Sequence, residues 1–334
     1  MKALSILLLL IISFCFTSFL QIMEQKSPGI SDGRIESRSS RINPETFGIL
    51  PVQGIEKLEI PQLKPYEAVI THTGYSLSYN EAFEQANWVA YELTSAETKA
   101  VVKRYNRFIV DPAVSSGTAN SKDYAKKGFD TGHLAPARDM AWSATAMKEC
   151  FYYSNMSPQS PGFNRGIWKR GEEQVRSWAR EYGSIYIVTG PILTEGLPTI
   201  GPDRVAVPVL FYKVILNYTQ TGHKGLGLLM KNESSGESLR SFAVSIDSVE
   251  KITGIDFFPR LPDEQEKRIE SHLDLGDWSW NSNPTEGSKT NPSNSIQCSG
   301  NRYLNNRKTA KSINHLMKTT TTIASPSPSL MIVQ

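Results

Sequence analysis

The run Gly128-Phe129-Asp130-Thr131-Gly132-His133-Leu134-Ala135-Pro136-Ala137 sets a histidine directly after a glycine and three residues after an aspartate, in an otherwise apolar stretch. Imidazole is the side chain best suited to accept a proton near neutral pH. A preceding glycine lets the backbone turn, or lets a bulky substrate approach. Asp130 can orient the ring or brace the turn. These residues alone leave two readings open, a packed histidine in a turn and a general base.

The next forty residues add chemistry. Phe151-Tyr152-Tyr153-Ser154-Asn155-Met156-Ser157-Pro158-Gln159 is followed by Gly162-Phe163-Asn164-Arg165-Gly166-Ile167-Trp168, then by Glu172 and Arg176. If Asn164 opens a helix, Trp168, Glu172 and Arg176 follow at four-residue steps, each turning by only about 40°. One face then carries an amide, an indole, a carboxylate and a guanidinium. Such a face is either a solvated row with a Glu172/Arg176 pair or the wall of a site. A histidine, an amide oxygen, a carboxylate and arginines, with no serine or cysteine nucleophile in evidence, suit phosphodiester hydrolysis. Histidine takes a proton from water, a hard cation holds the departing oxygen, and arginine neutralises charge on the phosphate. Asparagine offers a neutral oxygen suited to Mg²⁺, whereas zinc would demand more His or Cys.

The elements that must position these groups read as mixed α and β. Ala68–Ile70, Thr73–Tyr79 and Trp88–Leu93 suggest short strands. Ser184–Pro191 reads as a buried strand stopped by Gly-Pro, Val205–Leu216 as one longer strand, and Leu226–Met230 as another. Helical spacing runs from Asn164 to Tyr182, and Ser248–Thr253 reads as a short helix closed by Gly254.

Of the 334 residues, 39% are hydrophobic, enough for one large domain. The net charge of +3 does not by itself announce a nucleic-acid partner. Residues 3–20 carry no charge and resemble a secretory signal or a retained membrane anchor, so residues 1–23 are expected to export or anchor the chain. Residues 24–65 read as a linker, 66–280 as the domain, and 281–334 as a disordered basic tail. Export would permit Cys150 and Cys298 to pair; one buried and one free thiol is the equal alternative.

Asp130-Thr131-Gly132-His133, Tyr153-Ser154-Asn155 through Pro158-Gln159, Asn164 with Trp168, and Glu172 with Arg176 together resemble the DNA/RNA non-specific endonucleases, the ββα-metal nucleases. Trp88–Leu93, Phe108 with Asp111-Pro112, Thr189-Gly190-Pro191, Val207-Pro208, Phe211-Tyr212-Lys213-Val214 and Gly254–Phe258 extend the likeness over about 66–276. The resemblance implies an α+β fold: a ββα-metal core with a central, mainly antiparallel sheet flanked by helices. It implies His133 as general base, Asn164 as direct ligand of a hydrated Mg²⁺ or Mn²⁺, and Asn155 as a group steadying the site. It further implies that Glu172 supports the water around the cation and that Arg176 approaches the phosphate. Two positions depart from the pattern. Thr131 stands where the family carries arginine, so that contact is lost or supplied elsewhere. Of Arg104 and Arg107, neither aligned without a shift, Arg107 is the one expected to touch the scissile phosphate. The implied partners are DNA and RNA, bound through their backbones. The alternatives are a nucleic-acid-binding protein that has lost catalysis and a phosphodiesterase for a small substrate; oligomeric state is left open.

Overall fold

The computed structural model describes residues 55–219 and 222–281, and the expected export segment, most of the linker and nearly all of the basic tail lie outside them. No helix among the described residues is long and apolar enough to cross a membrane. Three strands open the sheet: β1 (Ile70–Thr71), β2 (Ser76–Asn80) and β3 (Gln85–Thr94). A separate antiparallel ribbon follows, β4 (Asp130–His133) with β5 (Met156–Gln159), and leads into a π-helical turn, Phe163–Trp168, and helix α1 (Lys169–Tyr182). Next come β6 (Ser184–Pro191), the small pair β7 (Thr199–Ile200) and β8 (Val205–Ala206), and the long hairpin β9 (Leu210–Thr219) and β10 (Gly222–Lys231). Strand β11 (Ala243–Val244) and helices α2 (Ile246–Thr253) and α3 (Asp263–Ser271) complete the domain. The main sheet has seven strands in the order β1-β2-β3-β6-β9-β10-β11, every pairing antiparallel.

Both faces of this sheet are covered, which explains why its central strands read as unbroken apolar runs. Val89, Tyr91 and Leu93 of β3, Ile185 and Ile187 of β6, and Phe211 and Ile215 of β9 face a core shared with Val175, Trp178 and Ala179 of α1. The alternate residues, Trp88, Ala90, Tyr186, Val188, Tyr212, Val214 and Leu216, face a second core closed by Ile246 and Val249 of α2 and Ile269 of α3. The histidine ribbon and α1 therefore occupy one face, and α2 and α3 the other.

Four expectations change. The single strand expected over Val205–Leu216 is two: Val205–Ala206 pairs with β7, and Leu210 onward joins the main sheet. Pro208 lies between them and has no N–H to give a ladder. The run around His133, for which a turn is one of the two readings left open, is strand β4. The fold also begins before residue 66, inside the expected linker. Leu58 and Ile60 are buried in the second core, Gln62 N–H donates to the Asp256 carbonyl, and Arg260 donates to the Lys57 carbonyl. The helix expected at Ser248–Thr253 starts two residues earlier, where the Ser245 hydroxyl caps it by accepting the Ser248 N–H, and Gly254 ends it at φ 65°, a left-handed conformation that glycine adopts without strain.

Because Leu58 is fully buried, Leu58→Ala is expected to cost about 3 kcal/mol, read as a lower urea midpoint at unchanged slope. An unchanged midpoint would return residues 55–65 to the role of linker.

Candidate active site

His133 ends β4, opposite Met156 of β5. Its position is set by the backbone on both sides of it. Asn155 is fully buried and spends its whole amide on main chain: Oδ1 accepts Ala135 N–H at 2.9 Å, and Nδ2 donates to the carbonyls of Ala135 (2.9 Å) and Cys150 (2.8 Å). Leu134 N–H donates to the Asn155 carbonyl, and Trp168 Nε1–H to that of His133 at 3.3 Å. Asn155 is therefore a positioning residue with no group left over for substrate. Its neighbour Cys150 is buried, and its thiol donates to the Met147 carbonyl; Cys298 lies outside the described residues.

The imidazole packs edge-on against Phe151, centroids 4.7 Å apart, and tilted against Phe108 at 5.7 Å. Its Nε2 is buried with no hydrogen-bond partner among the described residues. Burial pushes its pKa down to about 3, and the nearby Arg104 guanidinium pushes the same way. Arg104 lies over the Phe151 ring at 4.9 Å. Arg107, the expected phosphate contact, and Arg104 are both exposed, and Arg104 comes near enough to the histidine to act on its pKa. Asn106 between them adopts φ 59°, so the two side chains do not continue one extended strand.

Asn164 faces the ribbon from the first turn after β5. Its Nδ2 donates to Asp130 Oδ2 at 2.9 Å, which turns its Oδ1 away from Asp130. The exposed Arg165 grips the same carboxylate with two bonds, Nε to Oδ2 at 2.9 Å and Nη2 to Oδ1 at 2.6 Å. With Thr131 half-buried in β4, the positive charge next to Asp130 comes from the facing turn. The even four-residue row expected from Asn164 does not hold. Residues 163–168 form a π-turn broken by non-helical dihedrals at Gly166, and regular α-helix starts at Lys169. Such turns spread successive side chains differently from an α-helix, and they recur at functional sites.

Arg176 is turned inward. Its Nη1 donates to the fully buried Asp139 at 2.7 Å, and Tyr91 Oη–H donates to the other oxygen of that carboxylate at 2.9 Å. With the residue 8% exposed and committed to Asp139, Arg176 braces α1 from beneath. Glu172 lies one turn earlier; burial raises its pKa, while Arg176 and Lys213 oppose the rise. Lys213 is fully buried in β9, 4.4 Å from the Trp168 ring, and donates to Thr189 Oγ1 at 3.1 Å. Burial lowers its pKa and Glu172 resists. Removing either member of a buried pair such as Asp139–Arg176 typically costs about 3–5 kcal/mol, because the other charge is left uncompensated.

Two further participants were not singled out from the sequence. Lys213 is the lone charge within an apolar strand, a signal that was available. Gln159 is fully buried opposite Asp130, with neither amide atom hydrogen-bonded among the described residues. Its side chain lies where a Cβ on residue 132 would fall, 2.2 Å from its Cδ, so only glycine fits at Gly132.

A histidine on a two-stranded ribbon, faced across Asp130 by an amide from the following helical turn, is a ββα nuclease core. The chain belongs to the DNA/RNA non-specific endonuclease family, whose model matches residues 58–264. It is 34% identical over 211 residues to the mitochondrial nuclease EXOG of Danio rerio, covering 58% of this chain and 62% of that protein. Against nuclease C1 of Cunninghamella echinulata var. echinulata it is 36% identical, covering 56% and 81%, and against mitochondrial endonuclease G of Bos taurus 34%, covering 57% and 69%. A crystal structure of the EndoG/EndoGI complex matches with a TM-score of 0.58 at 31% identity, over 63% of this chain and 91% of that one.

A histidine held this far below its ordinary pKa stays neutral in the fold while the unfolded chain takes a proton near pH 6.5. Its contribution to stability is therefore present above pH 6.5 and is lost as pH falls from there toward 3, at about 1.4 kcal/mol per unit. The ring resonances of His133 are expected to stay fixed between pH 8 and 5 in a nuclear magnetic resonance titration. Movement with a midpoint near 6.5 would mean a ring open to water.

Proposed function

We propose that this protein is a metal-dependent, sugar-tolerant endonuclease that hydrolyses phosphodiester bonds in DNA and RNA. The observation that carries the proposal is the combination of a neutral imidazole, whose Nε2 has no hydrogen-bond partner among the described residues, with an asparagine in the turn after the ribbon whose amide is oriented by Asp130. His133, uncharged at physiological pH, accepts the proton of the attacking water. A hard divalent cation, Mg²⁺ or Mn²⁺, supplies a Lewis acid at the departing oxygen when bound. The donors fit such an ion. Asn164 Oδ1 is a neutral oxygen held in one orientation, and the Gln159 amide, opposite Asp130 on the ribbon, lacks a partner among the described residues, an arrangement suited to an ion that keeps most of its waters. The half-buried Glu172 lies on α1, which follows the turn bearing Asn164, and with Lys213 and Arg176 sets the local field.

Arg107, with Arg104 and the largely exposed Arg165, offers exposed guanidinium groups to phosphate. Contacts of this kind give affinity without reading bases, which accounts for action on any sequence and either sugar. Arg165 is in a position to do the work absent at Thr131. Export or membrane attachment through residues 3–20 belongs to the same reading and rests on the sequence alone.

Supercoiled plasmid and single-stranded RNA are both expected to be degraded in Mg²⁺ and spared in EDTA. His133→Ala and Asn164→Ala should each lose about 10²–10⁴-fold in rate with unchanged circular dichroism. A wild type that retards DNA on a gel but cuts nothing in Mg²⁺ or Mn²⁺ would establish a binding protein instead.

Asp130→Ala releases the Asn164 amide and Arg165 together. The Mg²⁺ concentration for half-maximal cleavage should rise about 10–100-fold, the usual cost of losing a group that orients a metal ligand. An unchanged metal requirement would separate Asp130 from the cation.

A further inference from the structure

On the sheet face away from His133, α2 and α3 lie against β10 and against each other, with Ile246, Val249 and Ile269 packed over Gly225 and Gly227. Their flanks bring acids together. Asp247 and Glu250 of α2 and Glu270 of α3 each offer a carboxylate oxygen within 4.8 Å of the other two. Asp256 and Glu266 add negative charge close by, and none of the ion pairs among the described residues involves any of the five.

Exposed acids often gather without consequence, but Glu270 is not exposed. It is 6% accessible, and its Oε1 has no hydrogen-bond partner among the described residues. An ionised carboxylate shut from water is costly unless a proton or a cation offsets it. Glu250 is held in place, because its Oε1 accepts the Phe257 N–H at 2.8 Å. Oxygens on opposite sides of a Ca²⁺ ion, each at about 2.3–2.6 Å, are separated by about 4.6–5.2 Å. Three carboxylates within 4.8 Å of one another therefore suit one such coordination shell, which waters would complete. With no nitrogen or sulfur donor in the group, the chemistry is that of a hard, oxygen-seeking cation.

We propose that Asp247, Glu250 and Glu270 form a Ca²⁺ site that fastens α2 to α3, separate from the site built on His133 and Asn164. The site is structural: it clamps the helices that close the second core and lies across the sheet from the candidate active site.

The test is calorimetry on the full chain carrying Asn164→Ala, so that the candidate active-site ligand contributes nothing, after dialysis against EDTA. Ca²⁺ at a hundredfold excess over its Kd is expected to raise Tm by about 5–10 °C, and equilibrium dialysis to find one Ca²⁺ per chain. Glu270→Gln and Asp247→Asn, each added to that background, should abolish most of the rise. Glu270→Gln is isosteric, and in the otherwise wild-type chain it should still degrade plasmid in Mg²⁺, showing that it folds. The proposal is overturned if Ca²⁺ leaves the Tm of the Asn164→Ala chain unchanged, or if the rise survives undiminished in both added variants.

Discussion

The Asp130 carboxylate is the joint on which the candidate site depends. It stands on β4, three residues before His133, and accepts Asn164 and both arms of Arg165 from the turn that follows β5. His133 and Asn164, the proposed proton acceptor and cation ligand, stand on separate elements whose separation Asp130 holds, and small displacements are costly to catalysis. The Arg165 bonds are charge-assisted and bidentate, the strongest kind of hydrogen bond available to side chains. The Asn164 bond also decides which end of the amide looks outward.

Behind that joint lies a second layer of buried charge. Asp139, Arg176, Glu172 and Lys213 are brought together by a loop, α1 and β9, under the indole of Trp168. The network ties α1 to the sheet through polar groups that have no other place to go, since an unpaired charge there would be severely penalised. Arg176 is thereby spent inside the protein, whereas Arg104, Arg107 and Arg165 are exposed.

The three-layer arrangement separates tasks. The sheet buries one apolar set under the ribbon and α1 and the alternate set under α2 and α3. Changes to the second layer can alter stability while leaving the chemistry of the first intact, and the acidic group on α2 and α3 lies wholly on that far side.

Much was legible in the amino-acid sequence. Ser184–Pro191 and Leu226–Met230 are strands because apolar runs bounded by Gly and Pro have few other uses, and Gly254 closes its helix because only a left-handed residue ends it there. His133 and Asn164 stood out through residue type and ordered spacing, which also carried the family resemblance. What the sequence could not decide were facts about distance between remote segments. That Arg104 comes near enough to His133 to lower its pKa is such a fact, and so is the inward turn of Arg176, which meets Asp139, 37 residues earlier. Arg165 sits beside Asp130 because a π-turn interrupts the helix that spacing alone would have continued. Sequence determines which groups exist and how often they recur along the chain. Only tertiary structure decides which charges share a low-dielectric interior, because that depends on contacts between residues that spacing does not relate.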